Sequence, residues 1–100
     1  MIQTELSPYV SDFANLPRMT QLLRESGLRA FLLHLHALEE MPEHKVKGAI
    51  TVQCLQGSVL FSTENESVEL TTGSIVIVPG GVPHKLVARR GSLMLVTASD

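Results

Sequence analysis

From residue 28 onward, the chain is a series of short runs in which apolar and polar residues alternate, separated by turn-forming residues. Successive side chains of a strand point to opposite faces, so this period of two is typical of strands that bury one face. The connections are too short for the crossovers that parallel strands need. The pattern therefore predicts an all-β chain of antiparallel strands in a sandwich or barrel. The predicted strands cover residues 28–37, 49–56, 57–63, 68–71, 74–78, 84–88 and 92–98.

The segment from Asn15 to Gly27 predicts a short amphipathic helix. Asn15 suits an N-cap, Pro17 falls in the first turn, and Gly27 is a typical C-terminal stop. Its apolar positions share one face: Leu16, Met19, Leu22 and Leu23. One hundred residues suit one domain. We expect residues 1–27 to form an N-terminal arm and short helix packed on a barrel of residues 28–100.

Composition narrows the class of protein. Charged residues make up 18% of the chain, the formal net charge is −2, and no basic patch is visible, so we expect no nucleic-acid partner. No apolar run is long enough to span a membrane, and the N-terminus lacks the features of a secretory signal. The single cysteine, Cys54, cannot form an internal disulfide. These features predict a cytoplasmic protein with no membrane partner.

In the stretch "PGGVPH", prolines and glycines that favour turns come immediately before one histidine. Pro79 ends the preceding strand because it cannot donate to a ladder. Gly80 and Gly81 permit unusual backbone angles, and Pro83 fixes φ immediately before His84. The stretch is either a structural turn alone or a rigid corner that aims the imidazole into the fold.

The spacing Gly-x5-Pro-x-Gly-x-Pro-His resembles the second motif of the cupin superfamily. The matching residues are Gly73, Pro79, Gly81, Pro83 and His84. Residues 43–57 resemble the first motif in a reduced form, with His44 thirteen residues before Gly57. The resemblance covers residues 28–98. It implies a small single-domain cupin of the RmlC-like type: a double-stranded β-helix, or jelly-roll barrel, usually dimeric, with a pocket lined by inward-facing side chains.

The resemblance also implies where a metal would sit. Metal-binding cupins carry two histidines and a glutamate in the first motif and one histidine in the second. His44 and His84 match, whereas Val46 and Ile50 occupy the other two ligand positions. A catalytic transition metal usually has three or more protein ligands. The expected pocket residues are His44, His84, Val46, Ile50 and Val52, with His44 and His84 as candidate ligands for iron, manganese, nickel, copper or zinc.

Two further histidines leave an alternative open. His34 and His36 lie two residues apart on a predicted strand, so they share a face. If Phe31, Leu33 and Leu35 fill the core, both histidines point outward. In the alternative, His34 and His36 face the pocket and complete a four-histidine metal site.

Three functions are compatible with these residues. The first is a binding module that holds a small polar or anionic molecule through His44 and His84. The second is a metal-dependent cupin enzyme of the dioxygenase, isomerase or decarboxylase type, in which His34, His36 or a loop glutamate (Glu39, Glu40 or Glu43) assists. The third is a metal-free enzyme with His44 or His84 as general base.

A high apolar content in a small barrel predicts self-association. Apolar residues make up 44% of the chain, more than the interior of a domain of this size is expected to absorb. If Ile50, Val52 and Cys54 point inward, the residues between them point outward: Thr51, Gln53 and Leu55. We expect these three residues in the interface of a homodimer.

Overall fold

The computed structural model describes residues 1–99 and confirms the all-β prediction. A short α-helix (Ser7–Val10) and a 3₁₀ turn (Phe13–Asn15) precede the strands. None of the helices in the described residues is long and apolar enough to span a membrane. The strands are β1 (Met19–Glu25), β2 (Leu28–Leu35), β3 (Glu40–His44), β4 (Ile50–Gln56), β5 (Ser58–Ser62), β6 (Ser67–Thr71), β7 (Ile75–Val78), β8 (His84–Ala88) and β9 (Ser92–Ser99).

The strands form two sheets of a jelly roll. One sheet has the order β1-β2-β9-β4-β7 and the other has the order β3-β8-β5-β6. Every pairing within residues 1–99 is antiparallel. The two sheets face each other and enclose the apolar core between them.

A short N-terminal helix is present at Ser7–Val10, but its predicted placement from Asn15 to Gly27 is wrong, because Met19–Glu25 forms strand β1. Ser26 and Gly27 both have positive φ and make a tight turn, so that Glu25 pairs with Leu28 and β1 continues along β2. A bulge between Gln21 and Leu23 interrupts the alternation of side chains and hides the period of two. Pairing along an open sheet edge therefore overrides the local helical pattern. The division into an arm (1–27) and a barrel (28–100) stays a prediction, with β1 as the last part of that arm.

Packing differs between the two ends of the sheets. At one end, completely buried inward side chains fill the space. Examples are the paired residues Cys54 and Met94 and the paired residues Val59 and Ala88. At the other end, a cavity of about 250 Å³ lies between the sheets. The filled end gives the fold its packed core, and the other end leaves room for a ligand.

The N-terminal segment covers part of the outer face of β2. Leu32 and His34 alternate with the inward residues of β2, yet they are only 1% and 3% exposed. The His34 backbone N–H donates to the Arg18 carbonyl at 2.7 Å, and the Phe13 ring lies edge-on to the His34 ring at 5.7 Å. The segment thus covers the outer side of β2, whereas the outer side of β7 in the same sheet exposes Ile75 and Ile77.

Candidate functional site

The cavity has apolar walls and few polar groups. Side chains from both sheets line it, and all five residues expected in the pocket are among them: His44, Val46, Ile50, Val52 and His84. The other lining residues are Met19, Arg29, Phe31, Leu33, Met41, Leu86, Val96 and Ala98. The structure therefore brings the expected residues together around one space large enough for a small ligand.

The turn before β8 fixes the deeper of the two imidazoles. The Gly81 N–H donates to the Val46 carbonyl at 2.8 Å, which ties this turn to the loop after β3. His84 is 2% exposed, and its ring stacks on the Phe61 ring with centroids 5.6 Å apart and planes 11° apart. Its Nδ1–H donates to the Val82 carbonyl at 3.0 Å. Backbone and ring contacts together hold the imidazole in one orientation inside the cavity.

His44 reaches the same cavity because strand β3 contains a bulge. Met41 pairs with Leu86 and His44 pairs with His84, so β3 has one residue more than β8 between these pairs. The extra residue places both Met41 and His44 on the inward face. His44 is exposed at the mouth of the cavity, and its ring centroid lies 4.3 Å from that of the buried His84.

The hydrogen bonds determine which nitrogen of each imidazole ring carries a proton. A carbonyl oxygen can only accept, so Nδ1 is the protonated nitrogen in His84 and also in His44, which donates to the Pro42 carbonyl at 3.0 Å. Burial lowers the pKa of His84, and the neighbouring His44 lowers it further, although the bond to the Val82 carbonyl acts in the opposite direction. In the neutral His84, Nε2 carries a lone pair that can accept a hydrogen bond or bind a metal.

Lowering the pH is expected to destabilise the protein through His84. Its folded-state pKa lies below the usual value of 6.5, so as the pH falls the unfolded chain binds a proton first. This contribution to the free energy of unfolding is fully present above about pH 6.5 and is lost as the pH falls through the folded pKa. Urea unfolding from about pH 8 to about pH 5 measures it.

A substitution isolates this contribution from those of the carboxylates. His84→Gln is expected to flatten the pH dependence in that window, whereas His36→Gln, at an exposed position on the outer face, leaves it unchanged. Parallel curves for the wild-type protein and His84→Gln would contradict the assignment to His84.

His34 and His36 lie on the other side of the five-stranded sheet. The His34 Nδ1–H donates to the Leu16 carbonyl at 2.9 Å, and the His36 ring, 4.6 Å away, is exposed. The apolar residues with which they alternate, Phe31, Leu33 and Leu35, lie in the core. This arrangement agrees with the outward placement of both histidines and disagrees with a four-histidine site in the cavity.

The three glutamates expected in a loop are also absent from the cavity lining, and two of them, Glu40 and Glu43, lie in strand β3 rather than in a loop. Glu39 pairs with Arg18 at 2.7 Å and accepts the His36 backbone N–H at 2.6 Å. This backbone hydrogen bond, and after it the Arg18 guanidinium, lower the pKa of the Glu39 carboxyl. Glu39 thus holds the chain between β2 and β3 in place, and Glu40 and Glu43 are exposed.

The donor set does not fit a catalytic metal centre. Within residues 1–99, no group of three or more histidine, cysteine, aspartate or glutamate side chains is placed to hold an ion. His44 and His84 supply two nitrogen ligands, one fewer than a catalytic zinc site usually takes from the protein. Two imidazoles bind a transition metal weakly, and the thioethers of Met19 and Met41, which also line the cavity, favour only copper(I) among the candidate metals.

The strand pattern also contains a site residue that the sequence analysis missed. Arg29 lines the cavity from strand β2. It lies two residues before Phe31 and four before Leu33, both inward, so the period of two already placed it on the inward face. The bulge that turns His44 inward left no comparable signal in the sequence.

A comparison with family models connects this geometry to known proteins. The model of the AraC-like ligand binding domain matches residues 32–92, which contain both cavity histidines. The chain belongs to this family. The AraC-like match includes the second-motif turn and the strands on either side of it. No curated protein matches the chain.

Several solved structures, among them cupins, share the fold of this AraC-like domain. A conserved protein of unknown function from Streptococcus pyogenes is 23% identical, with a TM-score of 0.75 over 82% of this chain and 72% of that one. A cupin superfamily protein from Desulfitobacterium hafniense DCB-2 is 17% identical, with a TM-score of 0.77 over 81% and 74%. A cupin-2 domain containing protein from Shewanella frigidimarina NCIMB 400 is 12% identical, with a TM-score of 0.78 over 96% and 100%. These likenesses confirm the fold: the chain has the jelly-roll fold of the small cupins.

Proposed function

We propose that this protein binds a small molecule in the cavity between its sheets, with His44 and His84 as polar contacts. The observation that carries the proposal is the cavity itself, of about 250 Å³, with its apolar walls and two converging imidazoles. Binding sites for small molecules typically combine apolar walls with a few fixed polar groups. Val46, Ile50 and Val52 would contact the apolar part of the ligand.

A metal-dependent cupin enzyme is the competing function. The two Nδ1–H groups held by backbone carbonyls favour it, because this arrangement orients imidazoles whose Nε2 atoms bind a metal. The missing third ligand opposes it, since His34, His36 and Glu39 make their contacts outside the cavity. Metal content is therefore one outcome of the test.

The test begins with protein purified without an affinity tag or chelator. Plasma mass spectrometry is expected to find iron, manganese, nickel, copper and zinc far below one equivalent per chain, also after incubation with each ion and removal of the excess. A fragment set with neutral, cationic and anionic members is then followed by ¹⁵N–¹H correlation spectra. Binding is expected to shift the signals of residues that line the cavity, and His84→Phe is expected to weaken it by about tenfold or more, consistent with the loss of one hydrogen bond to a buried group.

The controls separate the possible failures. His36→Phe removes an exposed histidine from the outer face and should leave binding unchanged. A near-stoichiometric metal that is lost in His84→Phe would replace the binding proposal by a metal centre. Fragments that shift no cavity residue in the metal-free protein would contradict the proposal directly.

We further propose that the protein is a homodimer that associates through the outer face of β4 and β7. Ile75 and Ile77 of β7 are 59% and 71% exposed, and they pair with Gln53 and Thr51 of β4. Two of the three predicted interface residues, Thr51 and Gln53, thus adjoin exposed isoleucines, and the third, Leu55, follows on the same strand. Large apolar side chains grouped on an open face are typical of a protein contact.

We also propose a cytoplasmic location. Cys54 is a free, buried cysteine, and burial raises the pKa of its thiol. A thiol of this kind suits a reducing compartment, where it acts as a small apolar core residue.

A further inference from the structure

We propose that the ligand is a small carboxylic acid with an apolar body, and that Arg29 binds its carboxylate. This inference rests on the proposed small-molecule function and adds to it the chemical class of the ligand. Its basis is a cation at an apolar cavity that holds no acidic side chain among its lining residues.

Strand β2 holds Arg29 on the cavity side. Arg29 shares the inward face of β2 with Phe31 and Leu33, which line the same cavity. Its guanidinium carbon lies over the Phe31 ring, 5.2 Å from the centroid. A cation at this distance is attracted by the ring face, so this contact holds the head group beside the cavity wall.

Within residues 1–99, no acidic side chain forms an ion pair with Arg29. By contrast, Arg18 pairs with Glu39 at 2.7 Å and Arg89 pairs with Glu69 at 3.2 Å. The positive charge of Arg29 is thus left for a group that enters the cavity. A planar guanidinium matches a carboxylate because two parallel N–H groups can donate to its two oxygens.

The other residues that line the cavity indicate what the ligand is like apart from its carboxylate. Its walls are mainly aliphatic side chains and one phenyl ring, which favour an apolar body. The neutral His84 offers Nε2 as an acceptor, so it does not compete with Arg29 for an anion. A volume of about 250 Å³ lies below the range usual for drug-sized ligands, so a single ring or a short chain fits.

The test compares isosteric probes that differ in charge. Benzoate and benzamide, and hexanoate and hexanamide, are titrated into the metal-free protein, with glucose as a neutral polar probe, and affinity is followed by ¹⁵N–¹H correlation spectra. Each carboxylate is expected to bind about tenfold or more tightly than its amide, consistent with a charge-assisted pair. Arg29→Gln is expected to abolish this preference, and Arg29→Lys to keep part of it.

Lys85→Gln is the matched control. Lys85 is an exposed residue of β8, so its substitution removes one positive charge without touching the cavity lining and should preserve the preference. The fold of each variant is checked from the same spectra. Arg29→Lys keeps the charge, so the comparison remains informative if Arg29→Gln fails to fold.

The outcomes separate this inference from the function on which it rests. Amides or glucose that bind in the cavity as tightly as the carboxylates, or a preference that survives in Arg29→Gln, would overturn the carboxylate assignment and leave small-molecule binding in place. No cavity shifts with these probes and with the whole fragment set would overturn both.

Discussion

Gly57→Ala is expected to lower the free energy of unfolding by about 3 kcal/mol. Gly57 joins β4 to β5 with a φ of +106°, a region that residues with a Cβ rarely adopt. An added Cβ would lie 2.7 Å from the Gly91 carbonyl oxygen and would press on the Ser92 side chain. Ser92 is completely buried, and its Oγ accepts the Ser58 N–H at 3.0 Å, so it cannot move aside without breaking a buried hydrogen bond.

Gly73→Ala is the matched control for this substitution. Gly73 has a similar φ of +94°, but nothing lies within 4 Å of an added Cβ. Its replacement should therefore cost only the backbone strain, about 1 kcal/mol. Urea unfolding of the two variants and the wild-type protein measures the difference. Equal losses at the two positions would show that the contact with Ser92 and Gly91 adds nothing to the strain.

The two glycines also show what the motif resemblance could predict. Gly57 closes the reduced first motif and Gly73 opens the second, and both turn out to be turn residues with positive φ. The spacing of such residues predicts the positions of most strands after residue 28, because a turn residue acts on the backbone of its immediate neighbours. The segment from Met19 to Glu25 was misassigned since its strand conformation depends on a partner strand and on a bulge, neither of which a local pattern reveals.

In the candidate site, too, features that depend on neighbouring residues could be predicted, and features that depend on strand pairing could not. The position of His84 could be predicted, because the two prolines and two glycines before it act on neighbouring residues alone. His44 faces the cavity only through the bulge in β3, so the family resemblance rather than the strand pattern identified it. Arg29 was predictable from alternation but was missed, because a charged residue at the start of a strand is usually taken as solvent-exposed.

Ile77→Lys is expected to convert the protein from a dimer to a monomer. Ile77 is 71% exposed in the single chain and lies beside Thr51 on the outer face that we propose as the interface. In a two-fold symmetric dimer the same patch of each protomer meets its copy, so the substitution brings two unpaired ammonium groups into a dry contact. Burying an unpaired charge costs several kcal/mol, which exceeds what a small interface tolerates.

Leu38→Lys is the matched control for Ile77→Lys. It tests whether the effect depends on the position of Ile77 in the proposed interface or follows from replacing any exposed apolar side chain by lysine. Leu38 is 79% exposed and lies in the loop between β2 and β3, away from β4 and β7, and the substitution makes the same change in charge. Light scattering after size-exclusion chromatography at micromolar concentration should give about twice 10.9 kDa for the wild-type protein and Leu38→Lys, and about 10.9 kDa for Ile77→Lys. A monomeric wild-type protein would reject the dimer, and a dimeric Ile77→Lys would move the interface elsewhere. Because β4 also lines the cavity, the dimer as proposed would hold one wall of the binding site from behind.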